Sequence, residues 1–244
     1  MPPSPVTSLT SSLSSNTFDV IIIGGGVNGC GVARDCAMRG LRVALVEKDD
    51  VASGASGANS GMIHGGARYL ETQMQVTKLS CLDSGYIQRI APHLCFRIPF
   101  IAPVLASTSR AAMWLELMEV FFEAYDVYQP LKNGQPSARL TREEALELEP
   151  GLSPEIIGAV TFDEWGIDPF RLCVANAISA QEHGAAILTY HQVEDLLRDG
   201  EGAVTGVEAR DLVTGKLKRL EAPVVANLAG VWAPRLGQMA GVAA

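Results

Sequence analysis

The chain has 244 residues, of which 48% are hydrophobic and 19% are charged, a balance typical of a globular protein with a sizeable core. Its net charge is −8 and its pI is about 5.0, and because it carries no basic stripe we expect no nucleic-acid partner. Five scattered cysteines form neither a metal-binding spacing nor an even-numbered disulfide framework, which favours a reducing compartment.

The first 17 residues are rich in proline and serine and carry no charged side chain. They lack the basic and apolar regions of a signal peptide, so we predict a disordered tail over residues 1–17. No apolar run of about 18 residues follows, so we expect no membrane-spanning helix.

Residues 19–47 carry the pattern of a βαβ unit that binds a dinucleotide. A strand over residues 20–23 leads into Gly24, Gly26 and Gly29, a helical pattern follows, and a second strand ends at Glu47. Gly24 allows a tight turn, Gly26 leaves room for a pyrophosphate, and Gly29 lets the helix pack close to the strand. The helix start offers N–H groups to the anion, and Glu47 can accept hydrogen bonds from a ribose diol. A carboxylate there disfavours a ligand with a 2′-phosphate.

A loop of ten small residues, ASGASGANSG at 52–61, follows this unit. Such a loop can lie flat against a ligand and donate backbone N–H and serine hydroxyl groups, and the alternative is a flexible linker. The next segment, MIHGGARYLE at 62–71, concentrates residue types that perform chemistry.

The remaining pattern alternates helices and short strands. We predict helices at 72–91, 111–128, 142–148 and 169–183, and strands at 96–105, 158–162, 185–191, 193–198, 203–210, 216–221 and 224–227. The prolines of 96–105 confine that segment to an edge strand or an irregular strand. The apolar helix 111–128 packs on the core, with a membrane-surface or partner-binding face as the alternative. A second strand-to-glycine turn near residue 230 can complete the nucleotide pocket.

Together these segments resemble FAD-dependent glycerol-3-phosphate dehydrogenase, within the amino-acid-oxidase-like flavoproteins. The resemblance runs from residue 18 to 242 and is carried by the βαβ unit and by SGASGANSGMIHGGARYLE (53–71), APHL (91–94), TREEALELEPGL (141–152), GIDPFRL (166–172), EHGAAILT (182–189) and APVVANLAGVWA (222–233). The loop wording is similar to the anaerobic, quinone-linked branch, whereas Trp114, Tyr125 and Asp126 are similar to the aerobic branch. These similarities favour neither the anaerobic nor the aerobic branch over the other.

The resemblance implies an α/β fold of the glutathione-reductase type. It implies a Rossmann-like FAD-binding domain at 18–71 and 168–244, and a partial mixed-sheet substrate domain at 72–167. The implied cofactor is non-covalent FAD. The implied reaction converts sn-glycerol 3-phosphate to dihydroxyacetone phosphate, with hydride passing to the flavin and electrons to a quinone or another acceptor. A cytoplasmic location is implied, and peripheral attachment to the membrane through a separate anchoring protein is an option.

The resemblance also implies roles for individual residues. His64 is the candidate base on the C2 hydroxyl, or alternatively it only positions the flavin or the substrate. Arg68 and Tyr69 are candidate substrate contacts, and for Arg68 the alternative is a salt bridge to Glu71 or another acid. The implied cofactor residues are Gly24, Gly26, Gly29 and Glu47 for the ADP half, Ser53, Ser56 and Ser60 under the pyrophosphate and ribityl chain, Val193 at the adenine, and Ala229 and Gly230 in the second turn.

The family continues well beyond the position that matches Val242, so both domains are expected to be incomplete here. We therefore expect an N-terminal portion that, alone, binds FAD poorly and turns over slowly or not at all. Two rival functions remain: an FAD-dependent amino-acid or 2-hydroxyacid oxidase or dehydrogenase, and a non-catalytic nucleotide-binding remnant.

Overall fold

The computed structural model describes residues 16–242, which divide into two compact units. The first unit contains the described residues up to Ser60 and those from Pro169 onward, and the second runs from Gly61 to Asp168. The segment 61–71 is part of this second compact unit. The domain division at 18–71, 72–167 and 168–244 stays a prediction.

The described helices and strands alternate along most of the chain. In order they are β1 (Val20–Ile23), α1 (Val27–Met38), β2 (Val43–Val46), α2 (Met74–Ile90), β3 (Cys95–Leu105), α3 (Ala111–Asp126), β4 (Ala138–Thr141), α4 (Arg142–Leu148), β5 (Ile156–Ile167), α5 (Pro169–Glu182), β6 (Ala186–Leu188), β7 (His191–Arg198), β8 (Val204–Asp211), β9 (Leu217–Glu221), β10 (Val224–Asn227) and α6 (Ala233–Met239).

The first unit is built on a parallel sheet with strand order β10-β1-β2-β6. Its two central strands are continuously apolar because both of their faces are covered. On one face Ile22 and Leu45 pack with small residues of α1 and α5, such as Ala33 and Ala177. On the other face the core continues into the antiparallel sheet β7-β8-β9. The predicted α/β class with a parallel sheet is confirmed.

The second unit contains an antiparallel sheet with strand order β3-β5-β4 and the helices α2, α3 and α4. The proline-containing β3 lies at the edge, where a strand tolerates missing N–H donors. Thr141 and Glu144 cap the start of α4 reciprocally and form a capping box. All strand pairs in this sheet are antiparallel. The parallel pair that the predicted mixed sheet requires is therefore absent from the described residues of this unit.

Several predicted bounds are wrong. The boundary between the strands predicted at 185–191 and 193–198 is misplaced: β6 ends at Leu188 on β2, the chain turns at Tyr190 with φ of 58°, and β7 begins at His191 in the other sheet. No strand was predicted where β4 lies, and β5 is longer than 158–162. Residues 1–15 of the predicted tail lie outside the described residues, whereas Asn16 accepts a hydrogen bond from the Glu221 N–H at 2.9 Å. No helix within residues 16–242 is both long and apolar enough to cross a membrane.

Candidate functional site

A cavity of about 530 Å³ opens in the first unit where β1, β2 and β10 end at their carboxyl edge. Ligands of open parallel sheets bind at this edge. The residues that line the cavity come from the first glycine turn, the end of β2, the small-residue loop, the start of β7 and the second glycine turn: Ile23, Gly24, Gly26, Val27, Asn28, Val46, Glu47, Lys48, Asp49, Ser53, Gly54, Ala55, Ser56, Asn59, His191, Gln192, Val193, Leu228, Ala229, Gly230, Val231, Trp232, Arg235, Leu236 and Met239.

The glycines of the first turn are required by close contacts. Gly24 has φ of +115°, and a Cβ there would lie 2.4 Å from the carbonyl oxygen of Leu228 in the second turn. A Cβ on Gly29 would lie only 1.8 Å from the carbonyl oxygen of Gly24. Gly29 is buried beneath the cavity rather than in its lining, so its place in the structure is the close packing of α1 on the turn.

The three predicted serines have different positions. Ser56 lines the cavity, and its Oγ accepts the Val27 N–H at 2.9 Å, one of the donors at the start of α1. Ser53 also lines the cavity, while its hydroxyl donates to the carbonyl oxygen of Asp50. Ser60 is exposed at the end of the loop and lies outside the residues that line the cavity.

Glu47 is held at the end of β2 by two backbone donors. Its Oε2 accepts the Gly25 N–H at 2.7 Å and its Oε1 accepts the Asp49 N–H at 2.9 Å. The carboxylate is half-buried and lines the cavity. Each carboxylate oxygen has capacity for a second donor, so this anchored group can still receive hydroxyl hydrogen bonds from a ribose.

A basic and aromatic part of the cavity wall was not predicted from the sequence. Lys48 Nζ lies 4.3 Å from the centroid of the Trp232 ring, which is within range of a cation–π contact, and Arg235 also lines the cavity. The predicted cofactor residues Val193, Ala229 and Gly230 are part of the same lining. A signal was present in the sequence, because Lys48 directly follows the acid that ends the second strand.

His191 also lines the cavity and was not among the predicted cofactor residues. Its side chain is buried and lines the cavity at the start of β7. Lys218 Nζ lies 2.8 Å from Nε2, and the carbonyl oxygen of Thr189 lies 2.7 Å from Nδ1. An ammonium can only donate, so the contact with Lys218 makes Nε2 the acceptor and Nδ1 the donor to Thr189.

The predicted catalytic segment lies in the second unit, where His64 and Arg68 are exposed and Tyr69 is half-buried in a short turn of 3₁₀ helix at Ala67–Tyr69. His64 Nδ1 accepts the Gly66 N–H at 3.1 Å. The Arg68 guanidinium donates to the Tyr69 hydroxyl at 2.8 Å and lies 4.8 Å from its ring centroid. Among residues 16–242 no ion pair joins Arg68 to Glu71 or to another acid, and both roles considered for Arg68 stay predictions.

Beneath this segment lies a buried ion pair that was not predicted either. Glu164 and Lys132 are 3% and 0% exposed, and their charged atoms are 2.6 Å apart. Burial, with the adjacent Glu164 carboxylate as a further cause, raises the pKa of Tyr125, which hydrogen-bonds to both groups. Two consecutive acids, Asp163 and Glu164, inside the otherwise apolar β5 were the available signal.

Comparison with known proteins gives concordant matches. The model of the family described as FAD dependent oxidoreductase matches residues 19–244. One chain of the anaerobic glycerol-3-phosphate dehydrogenase of Escherichia coli K12 is 40% identical over 226 residues, which cover 93% of this chain and 40% of that protein. The alpha-glycerophosphate oxidase of Streptococcus pneumoniae is 32% identical, over 92% of this chain and 37% of that protein.

A solved structure agrees with these matches. The glycerol-3-phosphate dehydrogenase from Bacillus halodurans complexed with FAD superposes with a TM-score of 0.70 and 25% identity, over 95% of this chain and 38% of that one. The chain therefore spans about two fifths of the length of these relatives.

Proposed function

The chain belongs to the FAD dependent oxidoreductase family, and we propose that it supplies the ADP-binding cavity and the His64 segment of an enzyme that oxidises sn-glycerol 3-phosphate to dihydroxyacetone phosphate. The observation that carries this proposal is the 40% identity to an anaerobic glycerol-3-phosphate dehydrogenase chain. That similarity covers 93% of the present chain and so extends over both units.

FAD is the cofactor of the family, and the cavity fits its ADP half. The glycine turns leave backbone exposed where any side chain would collide, as at Gly24. The start of α1 and Arg235 supply positive charge suited to a pyrophosphate, and Glu47 supplies acceptors suited to a ribose. When bound, the flavin provides the hydride acceptor that an alcohol oxidation needs.

We propose that His64 contacts the C2 hydroxyl of the substrate. Since Nδ1 accepts the Gly66 N–H, the neutral ring carries its proton on Nε2 and is a donor at that atom. To act as a base at Nε2, the His64 ring must carry its proton on Nδ1 instead. The hydrogen bond from the Gly66 N–H to Nδ1 must then break. The tautomer that this contact favours would donate a hydrogen bond from Nε2 of His64 to the hydroxyl oxygen in the resting state. Arg68 carries an exposed guanidinium suited to the substrate phosphate.

The electron acceptor is proposed to be a quinone or another acceptor outside the chain. The names of the relatives divide on this point, because one is called an anaerobic dehydrogenase and another an oxidase. We further propose a cytoplasmic location, with peripheral attachment to the membrane. All five cysteines are unpaired thiols, which supports a reducing compartment.

Single-turnover reduction of FAD tests the proposed function even where turnover is slow. The chain would be incubated anaerobically with FAD and with sn-glycerol 3-phosphate, glycine or lactate, and the flavin absorbance followed for hours. We expect bleaching with sn-glycerol 3-phosphate alone, and loss of that bleaching in Arg68→Ala. Bleaching by glycine or lactate instead of sn-glycerol 3-phosphate would favour the rival oxidases and would contradict the proposal. Slow, weak activity of the chain by itself stays a prediction.

A further inference from the structure

The buried polar groups beneath the His64 segment form one connected set, here called the Glu164 network: Glu164, Lys132 and Tyr125. None of the three side chains is more than 4% exposed to solvent. Lysine and glutamate are almost never fully buried unless paired, because removing their charges from water is costly. Their presence here calls for a reason beyond packing.

The hydrogen bonds of the network are complete. The Lys132 ammonium donates its three hydrogen bonds to Glu164 Oε2 at 2.6 Å, to the Tyr125 hydroxyl oxygen at 3.0 Å and to the carbonyl oxygen of Asp163 at 2.6 Å. The Tyr125 hydroxyl donates to Glu164 Oε1 at 2.8 Å. One more bond leaves the network, because Glu164 Oε2 also accepts the Gly65 N–H at 2.9 Å. The carboxylate therefore connects a buried charge pair to the residue after His64.

Further contacts hold the carbonyl groups of Gly65 and Gly66. The Cys81 thiol lies 3.6 Å from the Gly65 carbonyl oxygen, and the Thr77 hydroxyl donates to the Gly66 carbonyl oxygen at 3.1 Å. A Cβ on Gly65 would lie 2.1 Å from the Tyr125 hydroxyl oxygen, so only glycine fits against the network. This fixed backbone presents the Gly66 N–H to Nδ1 of His64.

We infer that Glu164, supported by Lys132 and Tyr125, is a positioning residue that sets the tautomer of His64 through the Gly65–Gly66 backbone. A charge-assisted bond to the Gly65 N–H is stronger than a neutral one, so the carboxylate restrains this backbone more tightly than an amide would. With the backbone held, the Gly66 N–H keeps Nδ1 unprotonated and the ring proton on Nε2. The relevance of this inference to catalysis rests on the proposed role of His64. The hydrogen bonds and the tautomer themselves can be measured in this chain alone.

The test compares Glu164→Gln with Asp163→Asn. Asp163 is an equally buried neighbouring carboxylate of β5 that pairs with Arg97, and its carboxylate makes no contact with Gly65 or Gly66. The ring ¹⁵N signals of His64, measured where the ring is neutral, report the tautomer, and amide exchange reports the backbone. In Glu164→Gln we expect a mixture of tautomers and exchange at Gly65 faster by roughly tenfold, the scale of replacing a charge-assisted hydrogen bond by a neutral one. In Asp163→Asn the His64 signals should match the wild type.

A second variant separates positioning from stability. Glu164→Gln leaves the Lys132 ammonium buried without its anion, and this can unfold the chain. The double variant Glu164→Gln with Lys132→Gln removes both charges, so it should recover stability while keeping the mixed tautomer. If both fail to fold, Tyr125→Phe, which deletes one donor to the carboxylate, should still shift the tautomer populations.

Wild-type His64 signals in every folded variant of the Glu164 network would overturn the inference. An equal change in Asp163→Asn would also overturn it, because the effect would then be general to the strand. None of these readouts uses a substrate or a cofactor, so the outcome is independent of whether the proposed reaction is right.

Discussion

Replacing Gly29 by alanine tests the contact on which the nucleotide-binding turn depends. The added Cβ would stand 1.8 Å from the Gly24 carbonyl oxygen, and real Cβ atoms essentially never approach closer than 3.0 Å. The atom it would meet belongs to the backbone, so α1 and the turn must separate by about 1.2 Å, the difference between 3.0 and 1.8 Å. The helix cannot shift without loosening its buried face, which includes Ala33 and Ala37.

The chain offers a matched control in the same helix. Gly31 is also in α1, and a Cβ there would meet nothing within 4 Å. Both substitutions gain the same helix propensity, about 1 kcal/mol, so the difference between the variants isolates the collision. Overpacking of this kind costs about 1–3 kcal/mol or more. We expect Gly31→Ala to be slightly more stable than the wild type, and Gly29→Ala to be less stable than Gly31→Ala by about 1–3 kcal/mol.

Urea unfolding, followed by circular dichroism, measures the difference, and isothermal titration with ADP measures the effect on the cavity. Gly29→Ala should also weaken ADP binding, because the N-terminus of α1 moves away from the turn. Equal midpoints and equal ADP affinities for the two variants would refute the reasoning, since the collision would then have been relieved at no cost.

Three further predictions concern other parts of the first unit. Glu47→Gln should weaken ADP binding in calorimetry by roughly tenfold, because the anchored carboxylate is the proposed acceptor for the ribose, and an unchanged affinity would contradict that role. Hydrogen bonds from Thr214 lower the pKa of Asp211 from 3.8 to about 2, so its contribution to stability is present above about pH 4 and is lost as the pH falls to about 2. Asp211→Asn should therefore lower the urea midpoint at neutral pH, and the gap to the wild type should close near pH 2; a constant gap would exclude this titration. Burial raises the pKa of Cys30 to about 12, so iodoacetamide at pH 8 should modify the half-exposed Cys36 first, as mass spectrometry can show, and equal labelling rates would contradict the burial of Cys30.

The sequence pattern was sufficient to predict those elements that nearby residues determine. The βαβ unit, α4 with its capping box at Thr141, and the last strand of the parallel sheet all follow from short-range periodicity and from residues that start or stop a helix. The boundary between the strands predicted at 185–191 and 193–198 was misplaced for a non-local reason. Only the neighbours decide that Leu188 stays on β2 while His191 joins a different sheet, and a single apolar run carries no information about partners.

By itself the sequence determined the βαβ unit and the glycine turn with Gly24 and Gly29, because these depend on residue types at short spacing. The candidate chemistry of His64 came from the resemblance of its segment to a known family. Only the tertiary structure decided which distant groups meet. It brought Lys48 to the ring of Trp232, and Lys132 and Glu164 to the backbone that follows His64. Burial and pairing of charges are properties of the folded chain, since a lysine in a sequence gives no sign of whether it will lie in water or beside a carboxylate in the core.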